Sequence, residues 1–180
     1  MIKKEELVEL CKLGNPAGYT GLYNLHSKEV YNVILRLVDH TGEAEDILQE
    51  SFVAAFDQIR KLQNTDGFRA WVKRIAINKS IDQLRKRKIR FVEFETECAF
   101  KEDEKVNETA FEFTLEAVTA AIGALTEGTR TIFTLFAIEN IPHAKIAELL
   151  GMEHAAVRTQ YHRAKHKILS ALNEGGFYER

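Results

Sequence analysis

HAKIAELLGMEHAAVRTQYHRAK, residues 143 to 165, decides how this chain is built. Its apolar positions recur at helical spacing up to Leu150, break at Gly151 and resume at Val157, a pattern of two short helices meeting at a tight turn. Each residue type has a steric reason. Ala147 is small where two helices must cross closely, Gly151 supplies the positive φ of the turn, and Val157 packs the second helix on the first. Beyond the turn, Arg158, Thr159, Gln160, Arg163, Lys165 and Lys167 place donors along one helix, and no acidic residue occurs from His154 to Asn173. Such a helix suits a DNA major groove, with Arg158 and Gln160 toward base edges and Arg163 and Lys165 toward phosphates. A solvated basic helix face would carry the same letters.

Outward from this hairpin, the 180 residues are dominated by helix formers, contain only Pro16 and Pro142 as prolines, and show no sustained period-two pattern. The chain is therefore expected to be all-α. A first helix covers Lys3 to Leu13. Asn15-Pro16 then reads as an N-cap followed by proline at the first helical position, opening a long helix to about Val38 that Thr41-Gly42 ends. The next helix runs to about Ile59, with Glu43, Glu45 and Asp46 at its positive end. After the turn-forming stretch from Lys61 to Gly67, a further helix starts near Phe68 and continues into Lys88. Periodicity fails from Ile89 to about Glu108, which reads as a flexible tether with some local order around Phe91 to Phe94. Four more helices follow: Phe111 to Leu125, Thr126 to about Ile138, a short one opened by Pro142, and His154 to Leu172. The expected organisation is two small helical domains, 1–88 and 109–180, joined by a linker at 89–108.

The net charge of -2 looks wrong for a DNA-binding chain, because Lys and Arg supply most affinity for phosphate. The average hides a segregated pattern. Arg60 to Arg90 carries eleven Lys/Arg against two Asp, whereas Glu93 to Glu116 carries nine Asp/Glu against two Lys. Cys11 and Cys98 stand far apart with no ligand spacing around them, which argues against a zinc site or a disulfide framework and fits a reducing cytoplasm. No apolar run approaches the roughly 20 residues that span a bilayer, and MIKKEELVEL has no signal-peptide core.

Two further stripes carry potential function. On the helix ending near Ile59, Leu48, Phe52, Ala55, Phe56 and Ile59 fall at core spacing, which leaves Asp46, Gln49, Glu50 and Val53 on the opposite face. On the helix from Phe68, Phe68, Val72 and Ile75 can face a core while Trp71, Arg74, Asn78 and Arg85 project together. An aromatic beside cations and an amide suits single-stranded nucleic acid, since the ring can stack on an unstacked base while the cations follow the backbone. Trp71 has a second reading as an interhelix core residue, and Asp82 one as a local partner of Arg85 or Lys86.

In this order the motifs resemble the extracytoplasmic-function (ECF) branch of the sigma-70 family of RNA polymerase sigma factors, over nearly the whole chain. EAEDILQESF at 43–52 is similar to the family's acidic AEDLVQETF-like helix, and FRAWVKRIAIN at 68–78, continuing to Asp82 and Arg85, to its FRAWLxRIAxNxxxDxxR helix. LTEGTRTIF at 125–133 through AVRTQYHRAK at 156–165 resembles its region 4. The resemblance implies a sigma factor without catalytic chemistry, cofactor or metal, which recognises minus-ten and minus-thirty-five promoter elements and promotes melting. It implies that Asp46, Gln49, Glu50 and Val53 dock on the β′ clamp helices of core RNA polymerase, that the second domain lies toward the β flap, and that the tether runs near the active-site and RNA-exit channels. It further implies that Gln63, Asn64, Thr65, Asp66 and Gly67 hold a flipped minus-ten base. Trp71, Arg74, Asn78, Lys79 and Arg85 would lie beside the melting strand, and Arg158, Thr159, Gln160, His162, Arg163 and Lys165 on the minus-thirty-five duplex. An anti-sigma partner is a further implication of the family.

The chain departs from the family pattern at Gln160, where Arg is frequent, at Tyr161, where Leu is frequent, and at Thr126, where Pro is usual. Lys79 and Gln83 stand where this helix is often apolar. A stand-alone helix-turn-helix regulator binding an operator would need the same hairpin but not the Trp71 stripe, the acidic docking helix or the tether. A helical enzyme built on His154, His162 and His166 is the third reading, with no carboxylate or cysteine on that helix to support it.

Overall fold

The computed structural model describes residues 4–87 and 114–174, and among them all regular structure is helical. The chain divides into two compact units, Met1–Lys88 and Ile89–Arg180. The segment expected to be a tether, with its local order around Phe91 to Phe94, lies outside the described residues, as does Cys98.

The first unit contains α1 (Lys4–Lys12), α2 (Pro16–Val38), α3 (Thr41–Asp57) and α4 (Phe68–Lys86). Helix α2 is the spine: α1, α3 and α4 all pack on it, and α3 also packs on α4. The core joins Leu22, Val30, Ile34 and Leu37 of α2 to Leu48, Phe52 and Ala55 of α3 and to Phe68, Val72, Ala76, Ile81 and Leu84 of α4, all buried. Ile75, expected to face the core, is only half-buried, because the buried stripe of α4 runs instead through Ala76 and Ser80. Ser80 enters an apolar interior at little cost because its hydroxyl donates to the Ala76 carbonyl at 2.8 Å.

The caps explain the boundaries. Asn15 accepts from the Ala17 amide at 2.9 Å, and Pro16, which has no N–H to leave unsatisfied, begins α2. The far end differs from expectation. Asp39, at φ 53°, terminates α2 by returning its N–H to the Leu35 carbonyl, and His40 Nδ1 caps α3 by accepting from the Glu43 amide at 3.2 Å. Thr41 and Gly42, expected to end α2, therefore form the opening turn of α3. A short aspartate tolerates this left-handed conformation, so the helix ends before Gly42 is reached. Arg87, just past α4, fastens this corner: its guanidinium donates to the Val38 carbonyl at 3.0 Å and pairs with Glu43.

Gly18 sets how closely α1 approaches α2. A Cβ there would stand 2.6 Å from the Cys11 amide nitrogen and 2.8 Å from the Leu7 carbonyl oxygen, both rigid backbone atoms. Alanine gains about 1 kcal/mol of helix propensity over glycine, but forcing the two backbones apart costs about 1–3 kcal/mol. Gly18→Ala is thus expected to be destabilising in urea unfolding, whereas at a permissive helix site the same change stabilises. Cys11 lies in this contact, fully buried, and burial pushes its thiol up to about 11, so it is an unreactive core residue.

The second unit contains α5 (Leu115–Gly123), α6 (Glu127–Phe133), α7 (His143–Leu150) and α8 (His154–Glu174). Thr114 caps α5 by accepting from the Ala117 amide at 3.2 Å; the expected start at Phe111 lies outside the described residues. The helix expected from Thr126 to Ile138 changes character at Thr134, where π-type hydrogen bonding takes over, and Asn140 at φ 56° then turns the chain toward Pro142. Ala117, Ala121 and Leu125 pack on Ala164, Ile168 and Leu172 of α8. The hairpin forms as its residues require: Gly151 has φ 66°, the Met152 amide returns to the Ala147 carbonyl at 3.0 Å, and Ala147 and Val157 are buried.

Candidate nucleic-acid interface

In the first unit an aromatic chain fixes α4. Tyr19 meets Phe56 edge-on at 5.0 Å and Tyr23 meets Phe52 at 4.9 Å, while Phe68 lies within 6.4 Å of Phe52, 6.1 Å of Phe56 and 5.7 Å of His26. Trp71 ends this chain. Its ring stands edge-to-face on Phe68 at 6.2 Å, and the side chain is half-buried, anchored at one side and open at the other. The interhelix reading of Trp71 thus holds in part, and the rest of the ring stays open to solvent. Arg74, Asn78 and Arg85 are exposed and follow it at helical spacing. Asp82 pairs with Arg85 at 3.6 Å, one turn away.

The stretch before α4 is an ordered 3₁₀ turn over Thr65–Gly67. The Asn64 side chain accepts from the Asp66 amide at 3.0 Å, and the turn packs on α1 and α4. Gln63, Asn64 and Asp66 are exposed; Thr65 and Gly67 are half-buried. Arg69 holds α4 against α2 by a two-toothed bond to Glu29, at 2.6 and 2.7 Å. That bond draws the Glu29 carboxyl below the usual carboxylate range, helped by the Lys73 and His26 charges and opposed by partial burial.

On α3, Asp46, Gln49, Glu50 and Val53 are all exposed, and Val53 keeps 59% of its surface in solvent. Lys79 does not share the Trp71 face. It turns toward α3, and its ammonium lies 2.9 Å from Glu50, holding that carboxyl below its ordinary range. An exposed pair of this kind contributes about 0–1 kcal/mol. Its interest is positional, since it joins one residue of the expected docking stripe to one of the expected DNA residues. Glu43, Asp46, Glu50, Lys79, Asp82 and Lys86 line the polar groove between the two helices.

On α8, Arg158, Thr159 and His162 are exposed on one face, and Gln160, Arg163 and Lys165 are half-buried at its flanks. Tyr161, the departure from leucine, is accounted for: it stacks on Phe133 at 6.0 Å and meets Phe136 at 4.5 Å and His143 at 5.3 Å, tying α8 to α6 and α7. The His143 ring also stacks on Phe136 at 3.9 Å. Burial foremost, then the His154, His162 and Arg158 charges, hold His143 below the ordinary imidazole range. Its folded-state proton affinity is the lower one. The unfolded chain therefore takes up the proton first as pH falls through about 6.5, and stability intact above that pH is lost below it. Hydrogen-exchange protection of α7 and α8 is expected to fall between about pH 7 and pH 5 in the native chain and to fall less in His143→Phe.

Among the described residues no group of three or more His, Cys, Asp or Glu could hold a metal ion, and no helix is long and apolar enough to cross a membrane.

Known proteins carry the same arrangement in the same order. The model of Sigma-70 region 2 matches residues 22–89 and that of Sigma-70, region 4 matches residues 115–168. The chain is 27% identical over 187 residues to the ECF RNA polymerase sigma factor SigW of Bacillus subtilis, covering 97% of this chain and 98% of the relative. It is 28% identical over 179 residues to the RNA polymerase sigma-H factor of Pseudomonas aeruginosa, covering 93% of each. Its fold is similar to that of the sigma factor RpoE, solved with the anti-sigma factor NepR from Bartonella quintana, at a TM-score of 0.54 and 17% identity over 86% of this chain and 96% of that one. It is likewise similar to CnrH, solved with the cytosolic domain of CnrY, at a TM-score of 0.52 and 22% identity over 95% of this chain and 97% of that one. Since both regions match in sequence and in order, and the curated relatives align from end to end, the chain belongs to the sigma-70 family and is an RNA polymerase sigma factor of the ECF type, acting in transcription initiation.

Proposed function

We propose that this chain opens promoters by binding energy alone, with residues 1–88 on the minus-ten element, 109–180 on the minus-thirty-five element, and 89–108 threading the polymerase between them. The half-exposed Trp71, braced by Phe68 and followed by Arg74, Asn78 and Arg85, is the observation that carries this reading. Unstacking a base costs a few kcal/mol. An aromatic face that receives the melted strand while cations hold its backbone offsets that cost, without nucleotide hydrolysis by this subunit. The ordered turn from Gln63 to Gly67 is assigned to an extruded base, and Lys79 joins the strand when it leaves Glu50.

Asp46, Gln49, Glu50 and Val53 are assigned to the β′ clamp helices of core polymerase, Val53 as the apolar contact within a polar rim. Arg158, Thr159, Gln160, His162, Arg163 and Lys165 are assigned to the minus-thirty-five duplex, with the second domain near the β flap. Both solved relatives were captured with regulatory partners, and an anti-sigma factor in the cytoplasm is proposed here too. Constitutive activity in the presence of every co-expressed candidate partner would count against it. The decisive test of function mixes the purified chain with sigma-free core polymerase and a genomic DNA pool and sequences the run-off transcripts. Start sites preceded by two shared elements at a fixed spacing are expected. Tight operator binding by the chain alone, without added transcription from core, would favour the stand-alone regulator.

A further inference from the structure

Helix α1 precedes the segment matched to Sigma-70 region 2, which begins at residue 22, yet it packs on the stretch that the proposed function assigns to an extruded base. Its neighbours are α2 and two 3₁₀ turns, Ile59–Lys61 and Thr65–Gly67. Turns of this length hold themselves by few bonds: the Leu62 amide donates to the Ile59 carbonyl at 3.1 Å and the Gly67 amide to the Asn64 carbonyl at 3.0 Å. Where they stand is therefore set by what they rest on. Gln63, Asn64 and Asp66 are exposed while Thr65 and Gly67 are half-buried, so the second turn has an open side and a packed one. Helix α1 is itself tightly fixed. The Tyr19 hydroxyl of α2 donates to the Cys11 carbonyl at 3.2 Å, the Asn15 amide donates to the Leu10 carbonyl at 2.9 Å, and Leu7, Val8 and Cys11 are buried. The Tyr19 ring also meets Phe56, which ties α1 to the aromatic chain that ends at Trp71.

We infer that α1 is a support that determines base specificity by holding the turn from Gln63 to Gly67 in place, and that Gly18, by letting α1 seat on α2, is a positioning residue for the base this turn accepts. This rests on the assignment of the turn to an extruded minus-ten base. A Cβ at Gly18 would stand 2.6 Å from the Cys11 amide nitrogen, whereas ordinary contact begins at 3.4 Å. Both partners are backbone, so neither can turn aside, and relieving the contact displaces α1 by on the order of 1 Å. A binding site must hold its groups within about 0.5 Å of the productive geometry. The turn, resting on α1, would move beyond that tolerance. Trp71 and Arg74 would not follow it, because α4 is held on α2 separately, by Phe68 against His26 and by the Arg69–Glu29 bond. Displacing α1 therefore disturbs the reading of one base and leaves capture of the melted strand in place.

The test uses the full chain with core polymerase on a promoter pool randomised in the minus-ten element, at a temperature where each variant is folded, reading base preferences from the transcripts. Asn64→Ala, which removes the bond to the Asp66 amide, should change preference at one base pair and so marks the one the turn reads. Gly18→Ala should change preference at that same base pair by roughly three- to tenfold and leave the other positions as they are. Ile81→Val is the control: it weakens the same core about four helical turns along α4, and should leave the whole profile native. If Gly18→Ala does not fold, Val8→Ala, which hollows the buried side of α1, carries the test, with a smaller change expected at the same base pair. An unchanged profile, a change at some other base pair, or a loss spread evenly over all positions overturns the role of α1, and leaves the turn's own assignment standing provided Asn64→Ala still marks a position. If Asn64→Ala and Asp66→Ala both leave every position unchanged, the assignment of the turn to an extruded base fails, and the role of α1 with it.

Discussion

Trp71→Ala should lower promoter opening by about tenfold to a hundredfold, the range expected when one base loses its aromatic platform. Permanganate reactivity of melted thymines on a defined promoter would measure it, with core polymerase in excess so that docking is saturated. The substitution also removes packing on Phe68, so the control is Trp71→Phe. That variant keeps a π face and should recover most of the opening. Thermal unfolding separates the two causes: the side chain is half-buried and sits at the end of the aromatic chain, so its loss should cost far less stability than opening. Equal opening by Trp71→Ala and the native chain would remove the central support of the proposed mechanism.

Phe68→Ala is expected to cost about 3–5 kcal/mol of stability. Phe68 is 2% exposed and lies at the junction of α2, α3 and α4, touching His26, Phe52, Phe56 and Trp71. A domain of this size is stable by only about 5–15 kcal/mol in total. The variant's first unit should therefore unfold at low urea, and the chain should lose docking and minus-ten recognition together, whereas Phe68→Leu should retain both. Far-UV circular dichroism through a urea series checks the first statement, and co-purification with core polymerase the second. A loss of less than about 1 kcal/mol would mean that the aromatic junction does not organise this unit.

The local rules were legible in the sequence where one residue dictates one geometry. Asn15-Pro16, Gly151, Ala147 and Val157 each have a single good use, and each is found in it. The α2–α3 corner was misread because glycine is the commonest way to leave a helix, whereas the chain uses Asp39 for the left-handed residue and His40 for the next cap. Ile75 was misplaced because a helical stripe fixes only the spacing of buried positions, and the neighbours that bury Ala76 and Ser80 come from elsewhere in the chain. The same limit hid the Lys79–Glu50 pair, the Thr129–Gln160 bond and the grip of Arg69 on Glu29, which join residues 29, 31 and 40 positions apart. No periodicity reports such contacts. The stripes bearing Trp71 and Val53 were legible because the core positions of each helix fix which residues are left on the opposite face.

The clasp made by Arg87 bears on mechanics. A guanidinium tied both to a carbonyl at the end of α2 and to a carboxylate at the start of α3 is a strain relief, like the clamp where a cable leaves its housing. Tension arriving from later in the chain would be taken up at that corner before it could fray the last turn of α4, and the surface proposed to capture the melted strand would keep its aim.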